Sequence, residues 1–107
     1  MHVKKLKPEV SIVLLSLLRQ KDTQRCIESL FTHTKVPFEI IIVDMGASAE
    51  IALWLNGLQE SHKEIVVINN LSNVGTSKGR NQGFKAARGQ YIVFLDNDAE
   101  VTPDCLC

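Results

Sequence analysis

"FEIIIVD", residues Phe38 to Asp44, decides the fold. Ile40 to Val43 are four β-branched residues in a row, a composition that favours extended backbone. A strand with one wet face alternates apolar and polar residues, whereas this run is nearly all apolar. Both of its faces are therefore expected to be buried. That is the pattern of a strand inside a parallel sheet covered by helices on each side.

Working outward, the same grammar repeats. Val10–Leu15 reads as a first buried strand, Glu64–Ile68 as a third and Gln90–Leu95 as a fourth. Between them lie helical periods. Thr23–Thr34 carries Cys26, Ile27, Leu30 and Phe31 on one face, with Asp22 as its expected N-cap. Pro37 lies in the connection that follows. Ser48 starts a helix whose Ile51, Trp54, Leu55 and Leu58 fall at i, i+3, i+4 and i+7, so Trp54 is expected in the core. Thr76–Arg88 is the third helix, with Thr76 or Ser77 as its cap. Pro103 could open another.

Strand–helix alternation with right-handed crossovers gives an α/β architecture, the front half of an open Rossmann-like domain. In such sheets ligands bind beyond the carboxyl ends of the strands. Three segments then share one rim: Leu15–Arg19, Asp44–Ser48 and Asp96–Asp98.

Composition narrows the partners. The 107 residues suffice for one small domain. Twelve basic residues balance twelve acidic ones, so charge gives no case for nucleic acid or an anionic membrane as a partner. The cysteines, Cys26, Cys105 and Cys107, form neither a disulfide framework nor a C-x-x-C pair and fit a reducing compartment. A cytoplasmic location is expected, with membrane association left open for a full-length protein. Lysines 4, 5 and 7 before the run Val10–Leu18 mimic a secretory signal. Glu9 abuts the run, no small-x-small cleavage site follows, and the run is too short to span a bilayer.

Asp96 and Asp98 flank Asn97 at the end of the fourth strand. Two close carboxylates repel unless a cation relieves them, and hard oxygen ligands suit Mg²⁺ or Mn²⁺. A bare D-x-D is more often a solvated turn. Its position on the ligand rim lifts the metal reading above that one. In "NVGTSKGRNQGFKAARG", Asn73 and Gly75 suit a tight turn, and Gly79 and Gly83 make a narrow stripe that close packing on the sheet explains. Arg80, near the start of that helix, could meet an anion; taken alone it reads as a surface charge. Asp44 could hydrogen-bond a sugar or base, or cap the turn after its strand.

Three motifs are missing. No G-x-G-x-x-G follows the first strand, and "GTSKGRNQG" is not a P-loop. "DNDAEVTPD" starts like a calcium loop, but Val101 stands where glycine is required.

Taken together, "CIESL", "FEIIIVD", "NVGTSKGRNQGFKAARGQYIVFLDND" and the trailing Pro103 resemble the nucleotide-sugar-binding half of family-2 glycosyltransferases with the GT-A fold. The resemblance runs from about Val10 to Leu106. It implies a truncated open parallel sheet of about four strands with helices on both faces. It implies that Asp44 contacts the nucleotide base or ribose and that Arg80 lies near the nucleotide and its phosphates. It gives Asp96 and Asn97 a place at the nucleotide sugar, and Asp96 and Asp98 the divalent ion, Mn²⁺ or Mg²⁺, on the diphosphate.

The chain departs from the family at Leu15-Ser16-Leu17-Leu18, where the family usually reads like P-x-Y-N, and at Met45–Ala49, where a polar run is usual. By the same resemblance, residues 1–107 are an incomplete domain, the N-terminal half, with the acceptor half and the catalytic base absent and no catalytic residue in this chain. The implied donor is a nucleotide-diphosphate sugar and the acceptor an unspecified sugar, lipid or protein. Inactivity of the fragment is expected, as is a homo-oligomer through an exposed sheet edge. The competing expectation is a non-catalytic nucleotide-binding or self-association module. A haloacid-dehalogenase-type phosphatase is set aside, because its D-x-D opens the domain and here it closes the chain.

Overall fold

The computed structural model describes residues 8–16, 20–46 and 48–96. Four strands and three helices alternate: β1 (Val10–Ser16), α1 (Gln20–His33), β2 (Phe38–Asp44), α2 (Ala49–Ser61), β3 (Ile65–Asn69), α3 (Thr76–Ala86) and β4 (Tyr91–Asp96). The strands form one parallel sheet in the order β3-β2-β1-β4. The nearly all-apolar β2 is interior, as its composition requires, and Ile40 to Val43 are fully buried.

The chain steps from β1 to β2 to β3 in one direction, then crosses back past β2 and β1 to β4. Right-handed crossovers going opposite ways put their helices on opposite faces. Accordingly, α1 and α2 share one face, where Cys26, Ile27, Leu30 and Leu55 pack on Val10, Ile12, Leu14, Ile40, Ile42 and Ile65. The other face carries α3. There Val13, Leu15, Ile41, Val43 and Met45 form the second core. The two cores alternate along β1 and β2 with the period of two that a strand imposes.

The glycine stripe is a packing device. A Cβ on Gly79 would stand 2.9 Å from Met45 Sδ, and one on Gly83 would overlap the Val13 side chain. α3 can lie on β1 and β2 only because both positions lack a side chain.

Two caps differ from expectation. Asp22 is the third residue of α1, since the helix starts at Gln20, so it is not the N-cap. Thr76 and Ser77 are the first residues of α3, and Gly75 takes the cap position at φ 90° with no side-chain cap. Asn73 Oδ1 instead accepts from Gly75 N at 2.8 Å, closing an Asx turn that leads into the helix. Ser48 does cap α2, its Oγ accepting from Ile51 N at 3.1 Å. Trp54 is half-buried at the margin of the first core, while Leu55 is the α2 residue buried outright.

At the amino ends of the strands, a buried glutamate ties the sheet together. Glu39 Oε2 accepts from Ser11 Oγ (2.6 Å) and from Arg88 N (2.7 Å), and Oε1 meets Arg88 Nη2 at 3.2 Å. Ser11 Oγ in turn accepts from Gly89 N at 2.7 Å. The turn into β4 is thereby anchored to β1 and β2.

Candidate functional site at the carboxyl ends of the strands

The strand order reverses between β1 and β4, so the crevice that such folds use for ligands opens at the carboxyl ends of those two strands. The register decides which residues meet there. Ser16 pairs with Asp44, Leu15 with Asp96, and Asp44 with Asn69. Asp44 and Asp96 thus stand on one rim, on the two neighbours of β1. For Asp96 the backbone is placed. Its carboxylate, and Asn97 and Asp98 entirely, lie outside the described residues.

Asp44 is 1% exposed. Its Oδ1 accepts from Gly46 N at 3.0 Å, which is the turn-capping role. A carboxylate offers about four lone-pair sites, and among the described residues no other group donates to this one. The turn-capping role expected of Asp44 is therefore present, and it leaves other lone pairs of the carboxylate uncommitted among the described residues. The main chain around Asp44 is clamped from both sides. Its carbonyl accepts from Asn70 N (3.1 Å) and Asn70 Nδ2 (3.0 Å), and Met45 N donates to Ser16 O at 3.1 Å.

Sequence reasoning missed Asn70 and Gln82. Their side-chain amides pair reciprocally: Asn70 Nδ2 donates to Gln82 Oε1 at 2.9 Å, and Gln82 Nε2 donates to Asn70 Oδ1 at 3.0 Å. The signal was faint, two uncharged amides twelve residues apart. Gly46 was also passed over as a loss of polarity. It sits at φ 76°, and a Cβ there would come within 2.6 Å of Ser72 Cα. Its lack of a side chain lets the turn after β2 and the loop after β3 close on each other at the rim.

Arg80 is the fifth residue of α3 and is exposed. On the wheel it lies about 200° from Gln82, at about 100° per residue. Gln82 is turned towards Asn70 beyond β3, so Arg80 is on the opposite flank, towards β1 and β4.

Among the described residues, no three His, Cys, Asp or Glu side chains come together as a metal cage. An ion that completes its shell with substrate phosphates needs only one or two carboxylates. Among the described residues no helix is long and apolar enough to cross a membrane.

A chain of this sequence and fold has a family. The model for glycosyl transferase family 2 matches residues 11–107, and the chain belongs to that family. It is 34% identical over 98 residues to the Escherichia coli (strain K12) protein named uncharacterized glycosyltransferase YibD, covering 89% of this chain and 27% of that one. The fold is shared with Staphylococcus aureus TarS 1–349 in complex with UDP-GlcNAc (TM-score 0.77, 22% identity, 92% of this chain and 29% of that one). It is shared equally with the Pyrobaculum calidifontis mannosyltransferase PcManGT in complex with GDP-Man and Mn²⁺ (TM-score 0.77, 16% identity, 92% and 30%). The chain spans under a third of the length of each of these proteins. The four-stranded α/β fold and the family expected from the sequence are both borne out.

Proposed function

We propose that this chain supplies the donor-binding rim of a glycosyltransferase, holding a nucleotide-diphosphate sugar across the carboxyl ends of β2, β1 and β4. One observation carries the reading: Asp44 and Asp96 end the two neighbours of β1, at the reversal of strand order. The nucleotide sugars in the TarS and PcManGT complexes, and the Mn²⁺ in the latter, support it.

Each role follows from chemistry. Asp44, already fixed through Oδ1, accepts hydrogen bonds from base N–H or ribose O–H groups on its remaining lone pairs. Arg80 offers a guanidinium to the diphosphate from the β4 flank of α3. Asp96 and Asp98 hold Mn²⁺ or Mg²⁺, with Asn97 beside the sugar nucleotide. When bound, the ion offsets the charge that develops on the leaving diphosphate. The acceptor is a hydroxyl of a sugar, lipid or protein, and no residue of this chain is assigned as its base.

Calorimetric titration with UDP and GDP, with and without Mn²⁺, tests the assignment. The parent chain is expected to bind a nucleoside diphosphate more tightly with Mn²⁺, and Asp98→Ala to lose at least tenfold of that gain. A parent that binds neither nucleotide under either condition defeats the proposal.

A second reading, self-association, is favoured by the β4 edge, where Tyr91 is 59% and Phe94 43% exposed. Sedimentation velocity decides it: a dimer dispersed by Phe94→Lys supports the reading, and a monomer across the concentration range refutes it.

A further inference from the structure

We infer that Gln82 is a positioning residue of the nucleotide rim, acting through Asn70 to hold the Asp44 turn in register with α3. The inference rests on the reading of Asp44 as the nucleoside contact, but its structural core is independent of any ligand.

The argument starts with the hydrogen-bonding capacity of one amide. Asn70 has two side-chain N–H donors, and both are committed, one to Asp44 O (3.0 Å) and one to Gln82 Oε1 (2.9 Å). Its Oδ1 is committed to Gln82 Nε2 at 3.0 Å. Rotating the Asn70 amide by half a turn would set oxygen against the Asp44 carbonyl. A flip of Asn70 alone would also break its pair with Gln82, so Gln82 adds to the preference that the Asp44 carbonyl sets.

The grip passes to the ligand side in two steps. Asn70 holds the Asp44 carbonyl through both its backbone and side-chain N–H groups. The Asp44 carboxylate then holds Gly46 N at 3.0 Å. Meanwhile the two glycines set the height of α3 above the sheet. The amide pair adds a polar tie on the flank of the helix. It therefore sets the separation between Asp44 and Arg80, which projects from the opposite flank of the same helix.

Both members of the pair are half-buried. A hydrogen bond that competes with water contributes little net stability. Placement, more than holding the fold together, is what such a pair can deliver.

The test is backbone hydrogen exchange on the ligand-free chain, reported as protection factors. In Gln82→Leu, Gly46 N–H and Asn70 N–H should exchange at least tenfold faster, with Ile41 and Ile42 in β2 at parent rates. Gln82→Glu provides the conservative check. At pH 7 its ionised carboxylate opposes Asn70 Oδ1 and should behave like leucine. Near pH 4 a glutamate begins to protonate, can donate to Oδ1 again, and should recover parent protection. Unchanged protection at Gly46 in Gln82→Leu overturns the inference. So does an equal loss across the strand amides, which would mark a general stabilising role. With ligand, Gln82→Leu should weaken Mn²⁺–UDP about tenfold and leave Mn²⁺–pyrophosphate unchanged. If the parent binds no nucleotide, the donor-site reading fails, while the exchange result still decides the role of Gln82.

Discussion

Glu39 and Arg88 meet across 49 positions of sequence, with Arg88 N donating to Glu39 Oε2 at 2.7 Å and Nη2 standing 3.2 Å from Oε1. β2 thus carries a buried carboxylate near each end, and the two do different work. Glu39 ties the turn before β4 to the base of the sheet, and Asp44 caps the turn after β2 at the opposite rim. Glu39→Ala strands the Ser11 hydroxyl and the Arg88 N–H, and should cost about 2–4 kcal/mol in urea unfolding. Arg88→Ala leaves both neutral donors in place and should cost less. Nucleotide affinity of the folded Glu39 variant should match the parent, because this network lies at the opposite end of the strands.

Two glycine-to-alanine changes should act in opposite directions. Gly83→Ala drives a methyl into Val13 and should destabilise by about 1–3 kcal/mol, the range for overpacking. Gly57 lies in α2 with nothing within 4 Å of a Cβ built there. Gly57→Ala should stabilise by up to about 1 kcal/mol through helix propensity. Adding Val13→Ala to Gly83→Ala should recover part of the loss. Thermal unfolding of the three variants beside the parent gives the comparison.

Leu55 should matter more than the larger Trp54 beside it. Leu55 is fully buried under β2 and β3, whereas Trp54 is half-buried and lines a surface groove with Phe31, Leu58 and His62. Leu55→Ala should cost about 2–5 kcal/mol. Trp54→Ala should cost about 2 kcal/mol, short of the full core range. A larger loss at Trp54 than at Leu55 would contradict this placement of the two side chains.

Gly46→Ala should damage the rim twice. The residue sits at φ 76°, which costs any other residue about 1 kcal/mol or more, and the new methyl meets the Ser72 backbone. The loop after β3 must then move off the Asp44 turn. Nucleoside diphosphate affinity should fall at least tenfold while Mn²⁺–pyrophosphate binding persists, measured by the same titration.

The elements were legible because burial writes itself into periodicity. β2 declared its interior position through Ile40 to Val43, and the glycine spacing of α3 announced close packing on the sheet. The rim positions of Asp44 and Asp96 were legible because each residue closes an apolar run that reads as a buried strand. The two caps were misread by small displacements: α1 begins two residues before Asp22, and Gly75 replaces a hydroxyl cap with a left-handed backbone. What stayed hidden was pairing at long range. Glu39 looked like an interruption of an apolar run, since nothing local connects it to Ser11 and Arg88. Asn70 and Gln82 were equally silent, because amides that satisfy each other leave no pattern in charge or hydropathy.

The outer edge of β3 is partly covered by α2, and this makes the two edges of the sheet unequal. Glu64 O and Asn70 N bond towards β2, so the Val67 N–H points away from the sheet, and Gln59 of α2 caps it at 2.7 Å. Asn56 of the same helix takes the Asn69 amide at 3.0 Å. One α2 side chain thus occupies a backbone donor on an edge that could otherwise pair with another chain. At the far side, Tyr91 N bonds back to Glu9, which turns the polar backbone of Ile92 and Phe94 outward, and among the described residues no side chain caps them. Among the described residues the β4 edge is therefore the more open of the two to another strand, next to the rim where Asp96 ends.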